Sequence, residues 1–248
     1  MIPNANMFRR LIKFTISFLK TRVIIEKILF YIMLFLLRVI MKKPFIIFKF
    51  PDKTTFLLFN FRDFISTSLS NEPETFRFVM KKIKNARVLV DVVANIGGYA
   101  IRAAKYCKVY AIESLPRNYK ILKINEKLNN VKIISFNIAA GNKNSKIKLY
   151  YTPGKWDAPS IKYEQNHFVE VEMKPLDEII NEESIDLIKI DVEGAEDLVL
   201  EGARNLLKRT KRVIIERSDS FPKAYKILKE EGFKLRKFLD YYYVLFTK

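Results

Sequence analysis

Residues 87–103 read RVLVDVVANIGGYAIRA. A β-branched apolar run ends on Asp91, a short loop carries Gly97 and Gly98, and a stretch with helical character follows. The first part suits a buried strand. The glycines allow a tight turn whose backbone N–H groups can approach a ligand, and a helix start behind them adds positive potential. Some twenty residues on, a second apolar run, 109-VYAIE-113, also ends on an acid, Glu113. An acid at the end of a second strand can accept hydrogen bonds from both hydroxyls of a ribose. Loop and acid together are the signature of a nucleoside-cofactor site in a Rossmann-like α/β domain. They do not by themselves separate NAD from S-adenosylmethionine, but 93-VANIGG-98 fits the dinucleotide pattern G-x-G-x-x-G poorly.

Outward from this loop, strand-like and helix-like stretches alternate. Strands are expected at 87–92, 109–112, 132–136, 146–151, 185–190 and 212–215. Helices are expected at 99–105, 118–128, 195–207 and 223–231. A closing hairpin is expected at 233–238 and 241–246. Alternation of this kind builds parallel βαβ units, and a terminal hairpin adds an antiparallel edge. Upstream, 45–50 and 55–61 read as two strands and 73–84 as a short helix. The domain plan is a basic helical segment over 1–43, lead-in strands and a helix over 44–86, and the main domain over 87–248.

The formal net charge is +18, and residues 1–50 hold ten Lys or Arg against one acid, Glu26. Over 8–43 there is no Gly and no Pro. At 100° per residue, Arg9, Lys13, Lys20, Lys27, Arg38 and Lys42 fall in one sector, opposite Phe8, Leu11, Phe18, Leu29, Met33, Leu36 and Ile40. The longest uncharged run, 28–37, is about half of what a transmembrane helix needs. The pattern is that of an amphipathic helical segment, lying on an anionic membrane surface or packing on protein. The expected location is the cytoplasm, peripheral to the inner membrane face.

The single cysteine, Cys107, rules out an intrachain disulfide. The single histidine, His167, rules out a site that needs two. No G-x-S-x-G elbow accompanies it.

Three segments make the chain similar to the FkbM methyltransferases: 90-VDVVANIGGYAIRAAK-105, 109-VYAIESLPRNYKILKINEKLN-129, and 185-IDLIKIDVEGAEDLVLEGARNLL-207 followed by 213-VIIERS-218. The string IKIDVEGAE is the most specific. The resemblance implies a Rossmann-like class I methyltransferase fold, S-adenosylmethionine as cofactor, and methyl transfer to oxygen, on a sugar or a small-molecule or lipid-linked hydroxyl. It implies that Asp91 with Ala94, Asn95 and Gly97 faces the methionine part of the cofactor. Glu113, with Ser114 beside it, would hold the ribose, and Ile138 and Ala139 would lie near the adenine. Asp191 and Glu193 would face the methyl group. The chain departs from the family at Val93, where a glycine is usual. A β-branched residue there disfavours positive φ, unless the loop sits in β geometry.

Asp191 or Glu193 is expected to orient and deprotonate the acceptor, with Glu216 a third acid on the same rim. Lys189, within IKID, would be buried beside an acid or would snorkel. Glu196, near a helix start, reads as structural. Three acids also suit Mg²⁺, but nothing in their spacing demands it, and no metal is expected. Trp156 and His167, in the long stretch 152–170, are weaker candidates for covering the acceptor. The alternatives are a nucleic-acid methyltransferase and an inactive membrane-associated scaffold. No N/D-P-P-Y/F string is present, and much of the charge sits on the N-terminal segment, so a nucleic-acid partner is not favoured. The oligomeric state is not legible.

Overall fold

The computed structural model describes residues 45–68, 72–164 and 166–248, together with Ile32 and Phe35. Apart from those two helical positions, the expected helices over 8–43 lie outside the described residues. The chain divides into two compact units, 1–47 with 58–61, and 48–57 with 62–248. Ile46, Ile47, Leu58 and Phe61 belong to the first, and the seven-stranded and four-stranded sheets and the cavities described below belong to the second.

Two short strands, β1 (Ile46–Lys49) and β2 (Thr55–Leu58), lead into helices α1 (Phe61–Ser68) and α2 (Pro73–Ile83). Then follow β3 (Val88–Val92), α3 (Ala100–Ala103), β4 (Lys108–Ile112), α4 (Pro116–Leu128) and β5 (Ile134–Phe136). A small strand group comes next: β6 (Ala139–Ala140), β7 (Ser145–Thr152), β8 (Lys155–Ser160) and β9 (His167–Lys174). The chain continues through α5 (Leu176–Ile179), β10 (Leu187–Ile190), α6 (Glu196–Glu201), α7 (Arg204–Lys208), β11 (Arg212–Glu216) and α8 (Phe221–Glu230). The hairpin β12 (Lys234–Leu239) and β13 (Tyr243–Thr247) closes it.

Seven strands form the central sheet in the order β12-β13-β11-β10-β3-β4-β5. The five strands from β11 to β5 run parallel, while β13 pairs antiparallel with both β11 and β12. The fold is therefore α/β with a mostly parallel sheet. Its middle strands are buried on both faces, which is why they read as apolar runs. Strand order reverses between β3 and β10. Chain direction places Asp91, Asp191, Glu216 and Glu113 at the carboxyl ends of four of these strands, where open sheets bind ligands.

Three expectations change. The apolar stretch 55–61 is a strand only to Leu58, and a helix starts at Phe61. The stretch 195–207 is two helices, not one, because a Cβ at Gly202 would fall 1.8 Å from the Gly141 carbonyl oxygen. That close approach interrupts the helix at a glycine. The stretch 152–170, read as a loop, contributes β8 and the start of β9 to a second sheet ordered β6-β9-β7-β8.

Buried polar groups tie the lead-in to this sheet. Asn125 Oδ1 accepts from the Leu57 N–H at 2.7 Å, and its amide donates to the Ile96 carbonyl at 2.8 Å. Arg102, 5% exposed, pairs with Asp52 and lies over the rings of Phe50, Phe56 and Phe76.

Candidate active site

The loop after β3 is built by three left-handed residues, Val93 (φ 62°), Asn95 (φ 52°) and Gly97 (φ 99°). Gly97 is needed twice over, for its φ and because a Cβ would meet Ile101 and Leu122 at 2.7 Å. Glu113 fastens the loop from behind. It is fully buried, and its two carboxylate oxygens accept from the Asn95 N–H (2.7 Å) and the Leu115 N–H (2.8 Å). Burial pushes its pKa up to about 7, against the pull of those N–H groups.

A cavity of about 410 Å³ opens at the carboxyl ends of β3, β10 and β11. Asp91, Ala94 and Asn95 line one side, and Asp191, Glu193 and Glu216 line the other. A second, apolar cavity is lined by Ser114, Ile138 and Ala139, with Ile112, Leu149 and Ile161. Val93 belongs to both walls. Gly97, within the loop, and Glu113, behind it, line neither cavity, and neither do Trp156 and His167.

Lys189 is buried beside an acid. Its ammonium reaches Asp191 Oδ2 at 2.9 Å and sits over the rings of Tyr99 (5.0 Å) and Tyr243 (5.1 Å). The Tyr243 hydroxyl donates to the same Oδ2 at 2.7 Å. Burial works against the ionised form of Asp191, but Lys189 and Tyr243 outweigh it and hold this carboxyl below its ordinary range. Glu216 goes the other way. Burial, with the charges of Asp191, Glu193 and Glu196, lifts it to about 9. The surroundings thus push the two carboxyls of one rim in opposite directions.

Asp91 is 1% exposed, and neither of its oxygens has a hydrogen-bond partner. Burial raises it to about 6, with Lys189 pulling it down and Asp191 pushing it up. Glu72 also lines the cavity and is lifted to about 7, chiefly by burial. It occupies the N-cap position of α2 without capping it. The cap comes instead from Asp240, whose oxygens accept from the Glu74 and Thr75 N–H groups. Glu196 is structural, as expected. It is fully buried, receives the Ser218 and Ser220 hydroxyls, and accepts from the Gly194 N–H at 3.3 Å.

The sequence reading did not single out Glu72, Tyr99 or Tyr243. The first two precede or follow a loop by distances that carry no motif, and Tyr243 sits on the antiparallel edge strand.

Val93 pays for its position, since a left-handed φ costs an L-residue about 1–2 kcal/mol. Val93→Gly is expected to stabilise the protein by about 1 kcal/mol, raising Tm by about 2–4 °C. Thermal denaturation measures this. An unchanged or lower Tm would mean that the valine contributes more by packing than it loses by strain.

An open α/β sheet with an acid-lined crevice at its switch point, beside an apolar slot, has the form of a Rossmann-like methyltransferase domain. A family model described as the methyltransferase FkbM domain matches residues 91–235. The chain belongs to this family. The methyl donor of such domains is S-adenosylmethionine.

No curated protein matches the chain. Among solved structures it is similar to a Pyrococcus abyssi tRNA (uracil-54, C5)-methyltransferase in complex with S-adenosyl-L-homocysteine, with TM-score 0.48, 14% identity, and 83% of this chain and 44% of that one covered. It is also similar to the T. thermophilus 16S rRNA N2 G1207 methyltransferase in complex with AdoMet and guanosine, with TM-score 0.47, 14% identity, and coverage of 82% and 50%. A precorrin-6y C5,15-methyltransferase from Geobacter metallireducens gives TM-score 0.44, 14% identity, and coverage of 71% and 87%.

Proposed function

We propose that this protein transfers a methyl group from S-adenosylmethionine to a hydroxyl oxygen of a sugar or another small or lipid-linked molecule. The observation that carries this reading is the single cavity shared by Asp91, with its two unpartnered oxygens, and the acids Asp191, Glu193 and Glu216.

A buried carboxylate with no partner fits the α-ammonium of a methionine moiety. The Asp91 side, with Ala94 and Asn95 on a turn shaped by Gly97, would hold that end. Glu113 and Ser114 would serve the ribose, Glu113 while also fastening the loop. Ile138 and Ala139, in the apolar cavity, would take the adenine ring.

Bound S-adenosylmethionine supplies a methyl already activated on a sulfonium. The residues must then hold an acceptor oxygen in line and remove its proton. Asp191, fixed by Lys189 and Tyr243, is placed to accept a hydrogen bond from the acceptor hydroxyl, orient it, and take its proton as the oxygen–methyl bond forms. Glu193 stands beside it as the second candidate. Orientation of this kind contributes several kcal/mol, roughly 7–11 at best.

The basic stripe over 8–43 supports attachment to an anionic membrane face from the cytoplasmic side. Among the described residues no helix is long and apolar enough to cross a membrane.

The test is transfer of an isotope-labelled methyl group from S-adenosylmethionine to a metabolite extract of the source organism. The expected product is a small molecule carrying the label as an ether. Label confined to RNA or DNA, lost on nuclease treatment, would favour the nucleic-acid alternative instead.

A further inference from the structure

We propose that Pro159 and Ile161 form a movable cover over the apolar slot assigned to adenine, and that Tyr163 is its latch. The slot measures about 20 Å³, room for about one water molecule. A purine is many times larger. The neighbouring crevice, at about 410 Å³, has room for the rest of the cofactor. The methionine end therefore fits the closed structure and the adenine end does not. A wall of the slot must move before the ring can enter. This inference rests on the cofactor reading given above.

The walls differ in how firmly they are held. Val93, Ile112, Ile138 and Val192 stand at or just beyond the carboxyl ends of central strands. Pro159 and Ile161 come instead from the end of β8. That strand is an edge of the four-stranded sheet, paired only with β7. Its ladder is irregular, with Tyr150 opposite Ser160 and Thr152 opposite Lys155. A strand held on one side by an interrupted ladder is the wall most easily displaced.

The turn after β8 is a compact piece. The Ser160 hydroxyl oxygen accepts from the Lys162 and Tyr163 N–H groups, both at 3.1 Å, so residues 160–163 move as a unit. Side-chain bonds fasten this turn to the segments after β10 and β11. The Ser160 hydroxyl donates to the Glu193 carbonyl at 3.4 Å, and the Lys162 ammonium reaches Asp197 at 3.1 Å. The Tyr163 hydroxyl donates to Asp219 Oδ2 at 2.8 Å. Its ring lies against Gly194, where an added Cβ would fall 3.1 Å from it. Tyr163 and Asp219 are both exposed, and exposed polar bonds are made and broken at small cost. A latch needs that balance, holding the cover down yet letting it rise. Because the turn bears on Glu193 and Gly194, closing over the adenine also sets the backbone that carries Glu193.

The experiment measures association and dissociation of S-adenosylhomocysteine at the immobilised full chain by surface plasmon resonance. Tyr163→Phe keeps the ring and removes the latching hydroxyl. It is expected to raise both rates by about three- to tenfold. Ile161→Ala widens the slot and is expected to speed association to a similar extent. A fixed wall would instead leave association unchanged and speed dissociation in Ile161→Ala alone. Circular dichroism checks that each variant folds, with Asp219→Ala and Ile161→Val as replacements. Wild-type association in Tyr163→Phe removes the latch, in Ile161→Ala removes the cover, and in both overturns the proposal. If the ligand binds and neither variant alters its association, only the cover falls. If the folded wild type does not bind it at all, the cofactor reading falls and takes the cover with it.

Discussion

Asp191→Asn is expected to lower methyl transfer by about 10²–10⁴-fold, while S-adenosylhomocysteine affinity stays within a few fold. The amide keeps nearly the same shape and can still accept from the Tyr243 hydroxyl. It cannot take a proton from the acceptor, and it no longer balances the Lys189 ammonium. Lys189 is 3% exposed, so a lost partner there would ordinarily threaten the fold. Here Glu72 and Asp91 also raise its pKa and keep the charge compensated. The variant should therefore fold, and thermal denaturation checks that it does. Single-turnover kinetics with saturating cofactor then isolate the chemical step. A rate near wild type would remove Asp191 from the mechanism.

Glu113→Ala is expected to act through the loop. It strips the acceptors from two backbone donors, the Asn95 and Leu115 N–H groups. An unsatisfied buried N–H costs about 1–3 kcal/mol, so for two a loss of about 2–6 kcal/mol is expected, read by chemical denaturation. S-adenosylhomocysteine affinity should fall by more than tenfold, because Asn95 and Ala94 lose the geometry that lines the cavity. Glu113→Gln keeps one acceptor oxygen and should fall between. Unchanged stability in the alanine variant would mean that the loop does not depend on this carboxylate.

Much of this was legible in the sequence, for a definite reason. Strands buried on both faces read as apolar runs, so the acids that end them, Asp91, Glu113, Asp191 and Glu216, stand out against their neighbours. Lys189 was visible as a charge inside such a run, with burial beside an acid and snorkelling both open until its bond to Asp191 was seen. Val93 was visible as a departure, but its backbone was not. Positive φ and β geometry were both open until the loop was seen.

The rest depends on contacts distant in sequence. Glu72 faces the cavity while Asp240, from the far hairpin, caps α2 in its place. Gly202 reads as a tolerable helix residue until Gly141 is found against it. β8 carries too many polar residues to stand out from a loop, whereas 169-VEVEMK-174 in β9 does alternate apolar and polar residues and is a strand signal the sequence offered.

The central claim is that the β3 loop and the crevice beside it bind S-adenosylmethionine. Isothermal titration of the full chain with S-adenosylhomocysteine measures it directly. One bound equivalent is expected, with binding sharply weakened by Glu113→Ala. No heat and no thermal shift at millimolar ligand, in a folded wild-type sample, would contradict it.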